Sequence, residues 1–307
     1  MTDPRTYGDA LRWASSFLLA HAETLSWHRL PEDERRAAAR AEAETLVRWV
    51  SGRTRLGLLT GLADPLPKDV REALREAAGR RIAGEPLQYI TGEAPFYGRL
   101  FAVRPGCLIP RPETERLVEV CLSWGQSQGG FGTVCDVGTG SGAIAITLAL
   151  ERPDADVWAV DVSDDALAIA RENARRHGAR VRFVRADALT WLRDEAPRLQ
   201  VIIANPPYIP SEDIDRLAPE VRTWEPRLAL DGGPDGLGFY GALAALGPVA
   251  FRTDGPNAIF LEVGQGQAEA VMGLFTGETG WRDWSFRVEE DLRGVPRVVW
   301  GERVKPE

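Results

Sequence analysis

An apolar strand pattern over 133–137 runs directly into Asp136-Val137-Gly138-Thr139-Gly140-Ser141-Gly142-Ala143, and an apolar helical pattern resumes at once over 143–150. A strand, a glycine-rich turn and a helix in immediate succession make the first half of a βα unit. Glycines at alternate positions let the backbone take left-handed dihedrals and come close to a ligand at the helix start. The alternation continues with a strand at 157–160, a helix at 164–177 and strands at 181–184, 201–204 and 259–263. Strands separated by helices predict an α/β fold, a parallel sheet with both faces covered. The segments 284–288 and 297–300, joined through 291–296, suit an antiparallel pair. They place one reversed strand at the end of an otherwise parallel sheet.

Upstream of this alternation the periodicity is helical. Leu11, Ala14, Phe17 and Leu18 form one stripe. Pro31, followed by Glu32, Asp33 and Glu34, reads as a helix start with acid in its first turn. That helix carries Ala38, Ala41, Leu46, Trp49 and Val50 as far as Gly52, and another runs from Pro67 through Val70, Leu74 and Ala77 to about Ile82. Residues 1–83 are therefore expected to form a small helical bundle whose apolar positions make a core. At Gly84 the character changes. Residues 87–91 read as a strand, Gly92 punctuates, and Phe96-Tyr97-Gly98 leads into a second strand around 100–103. The expected organisation is a helical unit over 1–83, a β-hairpin linker over 84–105 and an α/β domain over 106–307.

Charge narrows the partners. The chain has a net charge of -8. Residues 1–83 carry 14 Lys+Arg against 12 Asp+Glu, a net of +2, which leaves -10 on the remainder. That larger part repels a phosphate backbone, so no direct nucleic-acid partner is expected. Cys107, Cys121 and Cys135 are too few and too dispersed for a disulfide framework or a zinc site, and no metal is expected. Met1-Thr2-Asp3-Pro4-Arg5 lacks a basic stretch leading into an apolar core, and no uncharged apolar run has membrane-spanning length. A soluble, cytoplasmic protein without a membrane partner is the expectation.

Asp161 closes the strand after the glycine turn, 23 residues beyond Gly138, where a carboxylate can accept both hydroxyls of a ribose. Gly138, Gly140 and Ala143 also satisfy a loose dinucleotide fingerprint, so the turn alone leaves the ligand open between a dinucleotide and another adenosyl compound. Asp187 follows the third strand, within reach of an exocyclic amine.

Asn205-Pro206-Pro207-Tyr208 discriminates. It follows the apolar strand 201–204 and so lies at a carboxyl end, where open α/β sheets bind ligands. A planar amide or aromatic amine is a poor nucleophile because its nitrogen lone pair is delocalised. It must be oriented and partly rehybridised before it attacks a methyl group. The Asn205 side-chain oxygen and the Pro206 carbonyl can accept its two N–H bonds, and Pro206 and Pro207 keep the loop from losing much entropy on binding. Tyr208 offers a flat face to a planar substrate. His21, His28 and His177 all lie outside these motifs. Methyl transfer from a sulfonium needs no early base, so positioning and charge stabilisation carry the reaction.

In these motifs the chain resembles the protein-(glutamine-N5) methyltransferases that modify peptide chain release factors. The resemblance covers nearly the whole length. It is carried by Glu85-Pro86-Leu87-Gln88-Tyr89-Ile90-Thr91-Gly92, Phe96-Tyr97-Gly98 and Leu108-Ile109-Pro110-Arg111-Pro112-Glu113-Thr114-Glu115, besides the glycine turn and the tetrapeptide. Glu225-Pro226-Arg227-Leu228-Ala229-Leu230, Gly233-Pro234-Asp235-Gly236 and Gly294-Val295-Pro296-Arg297 complete it.

The resemblance implies a seven-stranded, Rossmann-like methyltransferase sheet preceded by a helical domain that grips the release factor. The reaction it implies is methyl transfer from S-adenosyl-L-methionine, leaving S-adenosyl-L-homocysteine, to the glutamine of a Gly-Gly-Gln loop that acts in translation termination. By resemblance Gly138, Thr139, Gly140, Ser141, Gly142, Asp161, Asp187, Ala188 and Asn205 bind the donor, and Asn205, Pro206, Pro207 and Tyr208 hold the glutamine amide. Residues 110–115 lie near the site. Many relatives carry an aromatic residue where this chain has Ala188, which leaves Trp191 or the backbone to cover the adenine. Methyltransferases of a ribosomal-protein glutamine and of DNA adenine N6 share the tetrapeptide. The wording of 109–115 favours the release-factor group over the first, and the acidic charge counts against the second. A binding module that merely reuses the fold has no need of an intact donor turn and tetrapeptide together.

Overall fold

The computed structural model describes residues 3–303; the Met1-Thr2 start of the segment read for a leader lies outside them. Their contacts form two units. One runs to Gly92 and includes Leu217–Trp224, and the other comprises Glu93–Arg216 and the chain from Glu225 onward.

The first unit is helical. Helix α1 (Tyr7–Ala20) opens with a capping box in which the Thr6 hydroxyl accepts from Asp9 N at 3.1 Å and the Asp9 carboxylate accepts from Thr6 N at 3.0 Å. Helix α2 (Glu32–Ser51) starts behind Pro31 and ends on Gly52 at φ +65°. Its buried stripe is Ala39, Ala43, Leu46 and Val47; of the expected positions Leu46 is buried, Ala38 and Val50 pack partly buried against the core, and Ala41 and Trp49 are exposed. Alanines at 37, 38, 39, 41 and 43 fall on several sides of the helix, so periodicity alone does not fix which side is buried. Helices α3 (Arg55–Thr60) and α4 (Lys68–Ile82) complete a core around Leu18, Leu46, Leu58 and Leu74, all fully buried. Each such leucine contributes on the order of 2 kcal/mol through removal from water.

Residues 87–91, expected as a strand, form helix α5 (Leu87–Thr91). Pro86 sets up the first turn and Gly92, at φ +76°, ends it. Leu87 and Ile90, three apart, both pack on the helical core. A five-residue apolar run suits either structure until its neighbours choose.

The second unit opens with the hairpin β1 (Glu93–Phe96) and β2 (Arg99–Ala102), so the first hairpin strand lies later than the sequence suggests. Tyr97 and Gly98 both have positive φ, +48° and +72°, as a two-residue hairpin turn requires. Helix α6 (Thr114–Ser127) runs through Gly125. Phe131 folds back so closely that a Cβ on Gly125 would stand 2.2 Å from its ring.

Then follow β3 (Thr133–Val137), α7 (Ala143–Glu151), β4 (Asp156–Asp161), α8 (Asp164–His177), β5 (Arg182–Arg185), α9 (Ala188–Asp194) and β6 (Val201–Ala204). The short helix α10 (Pro219–Trp224) belongs by its contacts to the first unit, where Glu220 meets buried Arg81 at 2.5 Å. The second unit ends with α11 (Gly238–Leu246), β7 (Asn257–Glu262), α12 (Ala268–Gly277), β8 (Ser285–Glu290) and β9 (Pro296–Arg303).

The sheet order is β5-β4-β3-β6-β7-β9-β8. Strands β3 to β7 are parallel, and β9 pairs antiparallel with both β7 and β8. The reversed strand is thus the last in sequence but sits one place in from the edge. Residues alternate between two cores: Val201 and Ile203 of β6 pack on one face, Ile202 and Ala204 on the other. Burial on both faces explains the uninterrupted apolar strands. Because the chain starts in mid-sheet at β3 and later returns beside it as β6, a crevice opens at their carboxyl ends.

Candidate active site

The glycine turn after β3 divides its labour. Gly138 and Gly140 have φ of +72° and +56°, and an added Cβ on either would meet nothing within 4 Å. Their backbone faces open space. Gly142, at +82°, is different: a Cβ there would stand 2.8 Å from Ile146 and 3.1 Å from Ala170, so this glycine lets α7 and α8 approach. Thr139 and Ser141 are buried and point away from the cavity. The Thr139 hydroxyl donates to Asp136 at 2.6 Å, and the Ser141 carbonyl accepts from Asn173 Nδ2 at 2.9 Å. Asp136 also accepts from Ala145 N at 3.1 Å, pinning the start of α7. Burial pushes its carboxyl up to about 7.

Asp161 ends β4 with its carboxylate spread over two backbone donors. One oxygen accepts from Gly140 N and the other from Ser163 N, both at 2.9 Å. A carboxylate has about four lone-pair sites, so each oxygen retains accepting capacity toward the cavity. Asp187 caps α9 by accepting from Thr190 N at 2.9 Å, and that backbone bond holds its carboxyl below the usual range. It is therefore a fixed anion at the rim rather than a freely solvated loop residue.

A cavity of about 240 Å³ joins these elements. Gly138, Gly140, Asp161, Asp187 and Ala188 line it together with Asn205, Pro206 and Pro207. Its apolar wall includes Val162, Leu228 and Phe239, and the first two are 49% and 65% exposed. Thr139, Ser141, Gly142 and Tyr208 are not among its lining residues. Nor is Trp191, which is buried against Trp158 at a ring separation of 5.7 Å and belongs to the core. Its bulk is used for packing.

The tetrapeptide is held from behind. Asn205 Nδ2 donates to the Thr114 hydroxyl at 3.1 Å. The Tyr208 carbonyl accepts from Gln267 Nε2 at 2.9 Å, and Ile209 pairs with Asp231 in a short parallel bridge. Glycines make room for this grip: a Cβ on Gly232 would stand 2.8 Å from Tyr208 Cα, and one on Gly236 2.3 Å from the Tyr208 carbonyl oxygen. The half-buried Tyr208 ring packs toward the core, and burial pushes its hydroxyl up to about 12. Glu225, buried at the return of the chain, accepts from Ile109 N at 3.2 Å and pairs with Arg111 at 2.6 Å. The motifs at 109–115 and 225–236 are thus braces for the loop 205–208.

Thr114, Gln267, Val162, Leu228 and Phe239 escaped sequence reasoning as site residues. Thr114 lay in a segment already singled out. So did Leu228, while Gln267, Val162 and Phe239 belong to common residue types with no motif of their own.

Residues 9–92 match the family model described as the PrmC N-terminal domain, and residues 120–220 the one described as the methyltransferase small domain. A release factor glutamine methyltransferase of Geobacter sulfurreducens is 42% identical over 263 residues, covering 86% of this chain and 89% of that protein. One from Bacillus anthracis is 36% identical over 304 residues, covering 96% and 98%. A solved protein-(glutamine-N5) methyltransferase, release factor-specific, from Alicyclobacillus acidocaldarius is 35% identical with a TM-score of 0.44, covering 67% of this chain and 100% of that one. On the likeness to the Geobacter and Bacillus proteins over most of its length, the chain belongs to the family of release factor glutamine methyltransferases.

Proposed function

We propose that the protein transfers a methyl group from S-adenosyl-L-methionine to the side-chain amide nitrogen of the glutamine in a release factor's Gly-Gly-Gln loop, tuning translation termination in the cytoplasm. The observation that carries this reading is the placement of Asn205. Its amide nitrogen is engaged by Thr114 at 3.1 Å while the residue lines the same cavity as Gly138, Gly140 and Asp161. An acceptor for a planar amide therefore stands beside a cradle suited to an adenosyl donor.

The residues present fit that donor. Open space before Gly138 and Gly140 admits it close to the backbone. Asp161 offers accepting oxygens for ribose hydroxyls, Asp187 offers one for an amine, and Val162, Leu228 and Phe239 offer apolar surface to a base. When bound, the donor supplies an electrophilic methyl group on a sulfonium sulfur. The chain's own part is to orient the acceptor. Asn205 Oδ1 and the Pro206 carbonyl accept hydrogen bonds from the two amide N–H groups, turning the nitrogen lone pair out of conjugation and toward the methyl, and after the transfer the nitrogen releases one proton to water. The proline pair keeps both acceptors in place. Tyr208 anchors the loop through its carbonyl and closes the core side of the substrate site. The first unit is assigned to gripping the factor rather than to chemistry.

Incubation with labelled donor and a purified release factor tests the proposal. Wild-type enzyme is expected to transfer label. Asn205→Ala should retain donor affinity while turnover falls about 10²-fold or more, because an acceptor used in the transition state is gone. Near-normal turnover in that variant would refute the assigned role of Asn205.

A further inference from the structure

An asparagine side chain has an accepting end and a donating end of nearly the same shape, so an asparagine that must accept needs something to decide which end faces the substrate. Strands β6 and β7 run parallel with Ala204 level with Leu261. The next residues, Asn205 and Glu262, therefore leave neighbouring strand ends side by side. Glu262 is 1% exposed, and among the described residues its Oε2 has no hydrogen-bond partner. Thr114, the first residue of α6 and 4% exposed, accepts from Asn205 Nδ2 at 3.1 Å and faces the Glu262 carboxyl, whose ionised form it favours.

A hydroxyl has one hydrogen. If that hydrogen is given to a carboxylate, which can only accept, the threonine oxygen can only accept from Asn205. The amide must then turn its NH2 toward Thr114 and its Oδ1 toward the cavity. We propose that Glu262 and Thr114 are positioning residues for methyl transfer, locking the Asn205 amide with its oxygen toward the substrate and, through aligned N–H and O–H dipoles, strengthening that oxygen as an acceptor. The inference rests on Asn205 acting as the amide acceptor. Neither residue lines the cavity, so both act through Asn205.

A fully buried carboxyl costs stability, and an apolar side chain would fill the same place in an otherwise apolar strand. Burial pushes Glu262 up to about 7, against the Thr114 hydrogen bond and the Arg297 charge, which favour its ionised form. The other charged and titratable groups facing it are Glu113 and Arg111 before α6, Tyr240 of α11 and Tyr208. Tyr240 donates to the Glu262 backbone carbonyl at 2.6 Å and not to the acid.

The test is steady-state methylation of a release factor by the full-length enzyme and three variants. Thr114→Val is expected to lower kcat about tenfold or more with donor affinity and KM within about twofold, and Thr114→Ser to restore kcat to within about threefold. Wild-type kcat should rise with pH through a group near neutrality, as Glu262 ionises. Glu262→Gln, which can still accept from Thr114, should keep most of the activity at neutral pH and lose that rise. Asp136 titrates in the same range, so persistence of the rise in Glu262→Gln overturns the assignment. So does unchanged kcat in Thr114→Val, a loss that tracks donor affinity, or failure of serine to rescue. A wild-type enzyme that transfers no methyl group overturns the functional reading itself; wild-type transfer with an unaffected Thr114→Val overturns only this inference.

Discussion

Glu262 and Asn205 show how differently two neighbouring residues can be read. Asn205 is visible in the sequence because Pro206, Pro207 and Tyr208 follow it; the buried acid at the end of the next strand carries no such flag. Glu262 sits at the end of an apolar strand and is recognisable only once β6 and β7 are paired. Its burial also has a thermodynamic consequence. The folded-state value of about 7 lies above the ordinary 4.5, so the folded protein holds this proton more tightly than the unfolded chain does. The associated stability is present at acid pH and is lost as pH rises through that window. Glu262→Gln has no proton to lose. Relative to wild type it should gain stability steadily from about pH 5 to about pH 8, read from urea midpoints across that range. A difference that stays constant with pH contradicts a buried titrating acid.

At the scale of elements, the glycine turn separates ligand contact from packing. Gly138→Ala adds a methyl into open space at φ +72°. It is expected to cost about 1 kcal/mol of stability but to weaken donor binding directly, since the cavity begins there. Gly142→Ala meets Ile146 and Ala170 as well as a positive φ. Its expected cost is larger, about 2–4 kcal/mol, and falls on folding more than on donor affinity. Thermal melts and donor titrations of the two variants separate these roles, and equal effects on both readouts would contradict the division.

The same turn shows what the sequence made legible. Strands 133–137 and 201–204 and helix 164–177 stood out because long apolar strands and capped amphipathic helices satisfy local rules by themselves. Residues 87–91 did not, because five residues lack a period and Pro86 and Gly92 decided the matter. In the site, Gly138, Gly140, Asp161, Asp187 and Asn205 were legible from turn chemistry and strand ends. Thr139, Ser141 and Gly142 share their motif but are not among the residues that line the cavity. The grip on Tyr208 by Gln267 comes from 59 residues further along the chain, where no local pattern announces it, and the motif that holds Gly236 does not by itself reveal its closeness to Tyr208.

At the scale of the molecule, the chain interrupts its catalytic unit to lend Leu217–Trp224 to the helical one. Arg81, 2% exposed, holds that loan together: it meets Glu42 through two bonds at 2.8 Å and Glu220 at 2.5 Å. Removing one member of a buried charge cluster leaves the others unpaired, typically at about 3–5 kcal/mol. Arg81→Met is therefore expected to loosen the first unit, seen as faster amide exchange in α4 and α10. KM for the release factor should rise while donor affinity is kept. Lost donor affinity in the folded variant would contradict the assignment of this unit to substrate grip.

The central claim concerns which nitrogen receives the methyl group, and mass spectrometric localisation after reaction of the purified enzyme with S-adenosyl-L-methionine and a release factor addresses it directly. The account predicts one methyl group on the side-chain amide of the Gly-Gly-Gln glutamine, and none when Asn205 is alanine over the same interval. A methyl group on any other residue, or an unmodified factor under conditions where the donor binds, would contradict it.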